Sequence, residues 1–270
     1  MKKLLYILFS LFGTGALGYY FQEDIKALIG SNPCKEVVCK NGGNCNDGNC
    51  DCQDGFFGSN CQEMDLSKVQ SLLAYKTPID LFKAGVPLES LYGKMYKGGL
   101  IFFIDTLNKY DFSGMVAAPK DQGVVKWGCD QELKDNDPHL PPLGDLYPYL
   151  LSGRKASQLG AARKNTENLI ALCLEENTPA KLCKILGDDW LLPSFMELNL
   201  MNINLHQKGH GEFAAELYWS STVFFKSTDI LQYGGISHDF GHESIRDVTL
   251  LCELEPDCED QAHVRAVRFF

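Results

Sequence analysis

Six cysteines crowded into residues 34–61 constrain this chain more than any other feature of its sequence. They run from Cys34 through Cys39, Cys45, Cys50 and Cys52 to Cys61, with the spacing C-x4-C-x5-C-x4-C-x-C-x8-C. Such density means either crosslinks in an oxidising compartment or bound metal. Zinc would call for paired ligand clusters, and no histidine falls in this stretch. Between the cysteines lie Asn41-Gly42-Gly43-Asn44, Asp47-Gly48-Asn49 and Asp54-Gly55-Phe56-Phe57-Gly58. These are turn residues that tolerate positive φ. A segment of about 30 residues buries too little apolar surface to fold unaided, so three crosslinks must restrict its unfolded chain instead.

The N-terminus indicates the compartment. Lys2 and Lys3 precede an apolar run from Leu4 to Phe12, followed by small residues at Gly13, Gly15, Ala16 and Gly18. This reads as a secretory signal peptide over residues 1–18, cleaved after Gly18. The alternative is an uncleaved N-terminal anchor, since the apolar character continues to Phe21, close to the length of a membrane span. Either way the remainder is expected to be secreted or held at the cell surface, with membrane contact only if the segment is retained. The charge balance is acidic, 25 Lys+Arg against 35 Asp+Glu for a net charge of −10. That excludes nucleic acid as the main partner, because phosphate binding needs clustered positive charge.

Residues 33–62 resemble an EGF-like module, on the strength of the Cys50-Asp51-Cys52-Gln53-Asp54-Gly55-Phe56 stretch and its closing Cys61. The resemblance implies the disulfides Cys34–Cys45, Cys39–Cys50 and Cys52–Cys61. The calcium-binding members carry acids before the first cysteine. Here Ile29-Gly30-Ser31-Asn32-Pro33 has none, so no calcium is expected in the module.

Residues 63–97 read as a short helical stem. Leu66, Val69, Leu72 and Leu73 recur at helical spacing. Thr77-Pro78 then reads as an N-cap and first helical position, with Gly85 ending that helix. One more turn is expected over Pro87–Tyr92.

Residues 98–270 read as an α+β domain of helices packed on a small antiparallel sheet. Strands are expected at Gly98–Asp105, Ser113–Pro119, Trp190–Pro193, Tyr218–Thr222 and His263–Phe269. Helices are expected within Ala156–Leu174, over Ala180–Leu186, and from Ser194 to about Leu205. Ser194 and Glu197 form a capping-box pair, which gives Glu197 a structural role. Trp127, Trp190 and Trp219 are expected in the core, with their indole N–H groups bonded to loops.

Seven ordered blocks make this domain similar to the DUF1566 family, also called the Lcl C-terminal domain. They are Gly98–Phe103, Val116–Gln122, Trp127-Gly128-Cys129, Asn165-Thr166, Trp190–Leu198, Tyr218–Thr222 and Val264–Phe269. The resemblance implies a C-type-lectin-like head in a secreted or surface bacterial protein, in which the first and last strands pair. It also implies adhesin-like binding of a glycan or a surface protein. The segment Cys252–Asp260 is strongly acidic, which argues against a sulfated polysaccharide.

His206/His210 and His238/His242 share a spacing that would face zinc from one side of a helix, but glycines interrupt the first pair. No metal and no cofactor is expected. Ser220 and Ser221 lack a nucleophile elbow, and Asp121 and Gln122 are explained by turn hydrogen bonding after Pro119. Ligand contacts are assigned to loops near 206–216 and 225–260, with His238, Asp239, His242 and Glu243 as the ligand-binding residues. Five cysteines lie beyond the module. Cys252 and Cys258 are expected to pair, and the pairing of Cys129, Cys173 and Cys183 is open.

The expectation is therefore a non-enzymatic, exported binding protein. Two alternatives remain, a structural subunit of an extracellular assembly, including a homo-oligomer, and a cysteine- or metal-dependent enzyme related to formylglycine-generating enzymes.

Overall fold

The structure, a computed structural model, describes residues 33–128, 154–173, 175–227, 231–241, 247–249 and 261–270. The expected signal or anchor, Cys129, His242, Glu243 and the Cys252–Cys258 pair lie outside the described residues. The chain divides into two compact units, Met1–Lys68 and Val69–Phe270.

The first unit is a crosslinked module with two small hairpins. β1 (Asn44–Asn46) pairs antiparallel with β2 (Asn49–Asp51), and β3 (Phe56–Phe57) with β4 (Glu63–Met64). Its disulfides are Cys34–Cys45, Cys39–Cys50 and Cys52–Cys61, the three pairs that the EGF-like resemblance implies. The turn joining β1 to β2 places Asp47 and Gly48 at positive φ, as a tight turn between two-residue ends requires. Gly43 is needed for a different reason. A Cβ there would lie 2.7 Å from the Cys61 sulfur, so only glycine lets the chain pass the buried disulfide. Each bridge closes a loop of 9 to 11 residues, which stabilises the folded module by about 2–3 kcal/mol in the chain-entropy account. Replacing both Cys52 and Cys61 by serine should therefore make the module protease-sensitive while the second unit stays resistant. Equal resistance in the variant and the parent would refute this account.

The second unit is α+β. Its N-terminal helices are α1 (Val69–Leu72), α2 (Pro78–Lys83) and α3 (Leu88–Leu91). Thr77 caps α2 through its side chain and Pro78 opens it, as the Thr-Pro pair predicts. These residues do not stand apart as a stem. Val69, Leu72, Leu81 and Leu91 are buried, and they pack as part of the unit. The Gln70 amide clamps the backbone of Met95, accepting from its N–H at 2.9 Å and donating to its carbonyl at 3.0 Å. Met95 belongs to β5 (Met95–Tyr96), the edge strand of a four-stranded antiparallel sheet. The clamp therefore satisfies an edge that would otherwise invite another strand.

In that sheet β6 is Gly99–Ile104, β7 is Gly114–Ala117 and β13 is Val267–Phe269. A second sheet has the order β11-β10-β9-β12-β8, with β8 at Gly123–Lys126, β9 at Leu217–Ser227, β10 at Leu231–Asp239, β11 at Asp247–Thr249 and β12 at Gln261–Val264. Two sequence expectations are corrected here. The His263–Phe269 run is not one strand but two, in different sheets, broken at Arg265-Ala266. The strands expected to pair as the first and last of the domain, β6 and β13, do not pair, because β7 lies between them. A third correction concerns the assigned loop at 225–260. Its first part is a long antiparallel hairpin of β9 and β10, consistent with the β-branched and aromatic run Val223-Phe224-Phe225.

The helices α4 (Arg154–Ser157), α5 (Ala162–Leu172), α6 (Pro179–Lys184) and α7 (Phe195–Asn204) complete the unit. The core joins α7 to both sheets through Phe102, Met115, Leu191, Leu198, Met201 and Tyr218. At the expected strand Trp190–Pro193, Leu191 makes one isolated bridge to Val267. Trp127, Trp190 and Trp219 are all buried. Trp127 packs against Trp219, and a Cβ at Gly235 would lie 2.4 Å from its ring. The Trp219 indole donates to the Val125 carbonyl at 2.8 Å, which is on β8 rather than on a loop.

Candidate functional site

The strand break at Arg265 assembles a polar cluster at one edge of the second unit. Val264, Arg265, Ala266 and Val267 are all buried, so the chain has no outward-facing residue as it leaves one sheet for the other. The Arg265 Nε donates to Asp121 Oδ1 at 2.5 Å. Its Nη1 donates to the carbonyls of Ala118, Pro119 and Gly211 at 3.1, 3.3 and 2.8 Å. The guanidinium also lies 3.8 Å from the centre of the Phe213 ring, a favourable cation–π geometry. One buried cation thus ties the end of β7, the loop at 209–216 and the sheet crossing together.

Asp121 is the other half of this arrangement. Its second oxygen accepts from the Tyr218 hydroxyl at 3.0 Å and from His263 Nδ1 at 2.9 Å. A carboxylate can only accept, so the Nδ1 that meets it carries the proton in neutral His263, which leaves Nε2 as the ring's acceptor. The side chains of Asp121 and His263 are 21% and 23% exposed, so this polar edge is open to solvent. Burial, aided by the Asp121 charge, pushes the Tyr218 phenol well above its ordinary value. Tyr218 therefore stays a hydrogen-bond donor to Asp121 while its oxygen accepts from the Ala214 N–H at 2.8 Å.

The expected turn role holds for Gln122, whose amide donates to the Lys120 carbonyl at 2.5 Å, but it does not account for Asp121. Asp121 bonds residues far along the chain, and the Gln122 side chain accepts from the Ala266 N–H at 2.5 Å. The signal for Arg265 was present as an interruption. Alternation through Val264, Arg265 and Ala266 would send Arg265 to solvent, but its neighbours on both sides lead inward.

The other expected site residues fall differently. His238 is on β10, 1% exposed, with Phe195 stacked against its ring. Its Nε2 lies 3.0 Å from Asn199 Oδ1, and its Nδ1 lies 3.2 Å from the Asp239 carbonyl. This corrects its assignment as a ligand contact, because Phe195 and Asn199 of the covering helix α7 bury the ring. Asp239 ends the strand and accepts from the Gly241 N–H at 2.8 Å. His206 and His210 do not share a helix face. The helix ends at Asn204, and Gly209 turns the chain at φ 71° between them. Among the described residues, no group of three or more His, Cys, Asp or Glu side chains is arranged to hold a metal ion.

Residues that invite a catalytic reading are engaged in structure. Ser220 donates to the Ile236 carbonyl at 2.6 Å, and Ser221 accepts from the Asn165 amide at 3.1 Å. The Thr222 hydroxyl accepts from the Phe195 N–H at 3.0 Å. Glu197 closes the expected capping box with Ser194. Its other oxygen also accepts from the N–H groups of Gly160 and Ala162, at 2.8 and 3.5 Å. Complete burial pushes its carboxyl up to about 7. Cys173 is disulfide-bonded. Cys183 is a buried free thiol, and burial raises its pKa far above the ordinary thiol value.

No protein-family model matches this chain, and no curated protein or solved structure matches it. The disulfides fit an extracellular or otherwise oxidising environment. Among the described residues, no helix is long and apolar enough to cross a membrane.

Proposed function

We propose that this chain is an exported, bacterial surface protein in which an EGF-like module accompanies a C-type-lectin-like head of the DUF1566 type. The head recognises a glycan or a surface protein, as an adhesin does. The observation that carries this reading is the contrast between two sets of polar side chains in the second unit. Ser220, Ser221, Glu197 and His238 are buried and bonded, whereas Asp121 and His263 form a partly exposed edge. That edge is joined through Arg265 to the loop at 209–216. A rigid polar edge beside a pinned loop suits recognition.

The alternative cysteine-dependent enzyme draws no support from Cys183. A buried thiol with a raised pKa is a poor nucleophile, since the thiolate is the reactive form. The test is an array of glycans and surface proteins probed with the intact exported chain. Binding that weakens when His263 is replaced by alanine is the expected result. An array with no binding above background would overturn the reading.

A further inference from the structure

A cavity of about 240 Å³ opens in the second unit where the loop between β6 and β7 meets the first turns of α5. The loop supplies Asp111 and Phe112, α5 supplies Arg163, Lys164 and Glu167, and β13 supplies Phe269. The apolar wall is held from several sides. Phe112 is stacked between Tyr110 and Phe269, with ring centroids 5.1 and 4.7 Å from its own. The Asp105 carboxylate pins the loop by accepting from the N–H groups of Leu107 and Tyr110, at 3.3 and 2.8 Å. Gly160, at φ 89°, donates its N–H to Glu197 at 2.8 Å, and a Cβ there would lie 3.3 Å from the Phe112 ring. The charged groups are in a different state. Asp111, Arg163, Lys164 and Glu167 are exposed, and none of them makes a hydrogen bond or an ion pair among the described residues. Arg163 and Glu167 have the i,i+4 spacing at which opposite charges pair on a helix. The Arg163 guanidinium lies instead over the Phe269 ring, 5.7 Å from its centre.

We propose that this cavity binds one neutral hexose unit of a glycan. Its charges cancel, two cations against two carboxylates, so a free anion or cation meets repulsion as well as attraction there. A sugar hydroxyl both donates and accepts. It can donate to Asp111 or Glu167 and accept from Arg163 or Lys164, and hydrogen bonds to charged groups are the stronger kind. The four groups come from two elements, a loop and a helix. The ligand that uses them all has polar groups spread around a ring, as a hexose has, and not gathered at one end, as an amino acid has. Phe112 and Phe269 supply the apolar wall that the C–H groups of such a ring need. The volume suits a single ring, since pockets for drug-sized ligands run to roughly 300–1,000 Å³. Two carboxylates do not make a metal centre here, because no group of three or more suitable side chains is found among the described residues. The wall is already ordered by its own contacts, which lowers the cost of binding. This inference goes beyond the adhesin reading, and the cavity shares no residue with the edge at Asp121 and His263, so either can fail alone.

The test titrates the intact exported chain, isotope-labelled for NMR, with the methyl glycosides of glucose, galactose and mannose. The amide signals of Asp111, Gly160, Arg163 and Glu167 should shift with at least one of them. The affinity should not change with salt, because the ligand carries no charge to be screened. Glu167→Gln and Asp111→Asn should each weaken binding by roughly tenfold or more, the effect of losing one hydrogen bond to a charged group. Both positions are exposed, and unchanged thermal unfolding shows that the fold is retained. Four results would overturn the proposal. They are no shift of these amides with any of the three glycosides, unchanged affinity in both variants, an affinity that falls steeply with salt, and tighter binding of free serine than of any glycoside at the same amides.

Discussion

Replacing Arg265 by leucine is expected to lower the stability of the second unit by about 3–5 kcal/mol, the usual cost of removing one partner from a buried ion pair. The side chain is 1% exposed, so it carries no solvent screening of its own. Its loss leaves three backbone carbonyls, of Ala118, Pro119 and Gly211, without their shared donor. It also leaves the Asp121 carboxylate facing Tyr218 and His263 without its cation. Each unsatisfied group adds a desolvation cost. Lysine should rescue only part of this, because one ammonium cannot reproduce the planar fork that reaches both Asp121 and the carbonyls. Urea unfolding of the three proteins gives the ranking, with arginine above lysine and lysine above leucine. Limited proteolysis should place the first new cut of the leucine variant within 209–216, the loop that loses its bond at Gly211. A leucine variant within 1 kcal/mol of the parent, on the order of an exposed pair, would sink the idea that this cation organises the crossing.

The same residue shows what the sequence made legible and what it hid. Signals that act over a few residues are legible. Thr77-Pro78 and Ser194 with Glu197 mark helix starts by chemistry that closes within one turn. The cysteine spacing and its glycines also marked a crosslinked module, whose bridges span only 9 to 11 residues. What failed depends on contacts far apart in the chain. Arg265 and Asp121 are 144 positions apart, so neither position alone announces the pair. The crossing between sheets therefore looked like one continuous strand, and Asp121 looked like a turn residue. The burial of His238 is hidden for a related reason. Its neighbours Gly234 and Gly235 suggest a loop, but Gly235 is there to admit the Trp127 ring, and the strand continues past it to Asp239.

Glu197 should make the stability of the second unit depend on pH in a way that most carboxylates do not. Its carboxyl is raised from 4.5 to about 7, chiefly by burial, against the opposing effect of the N–H groups of Ser194, Gly160 and Ala162. In the unfolded chain it ionises near 4.5, so between these values the folded form holds a proton that the unfolded form releases. Stability then falls as pH rises through this window and levels off above it. The full swing is about 3 kcal/mol at one pKa unit per 1.36 kcal/mol. This slope is opposite to that of a salt-bridged carboxylate, whose contribution is lost as pH falls. Glu197→Gln keeps an oxygen to accept from the Ser194 N–H and removes the titration. Chemical unfolding at a series of pH values should therefore show a falling stability for the parent that is flatter in the variant, the difference growing from pH 4.5 to 7. Parallel stability curves for the two proteins would show that the ionised carboxylate is fully stabilised by its three N–H donors and that burial does not dominate there.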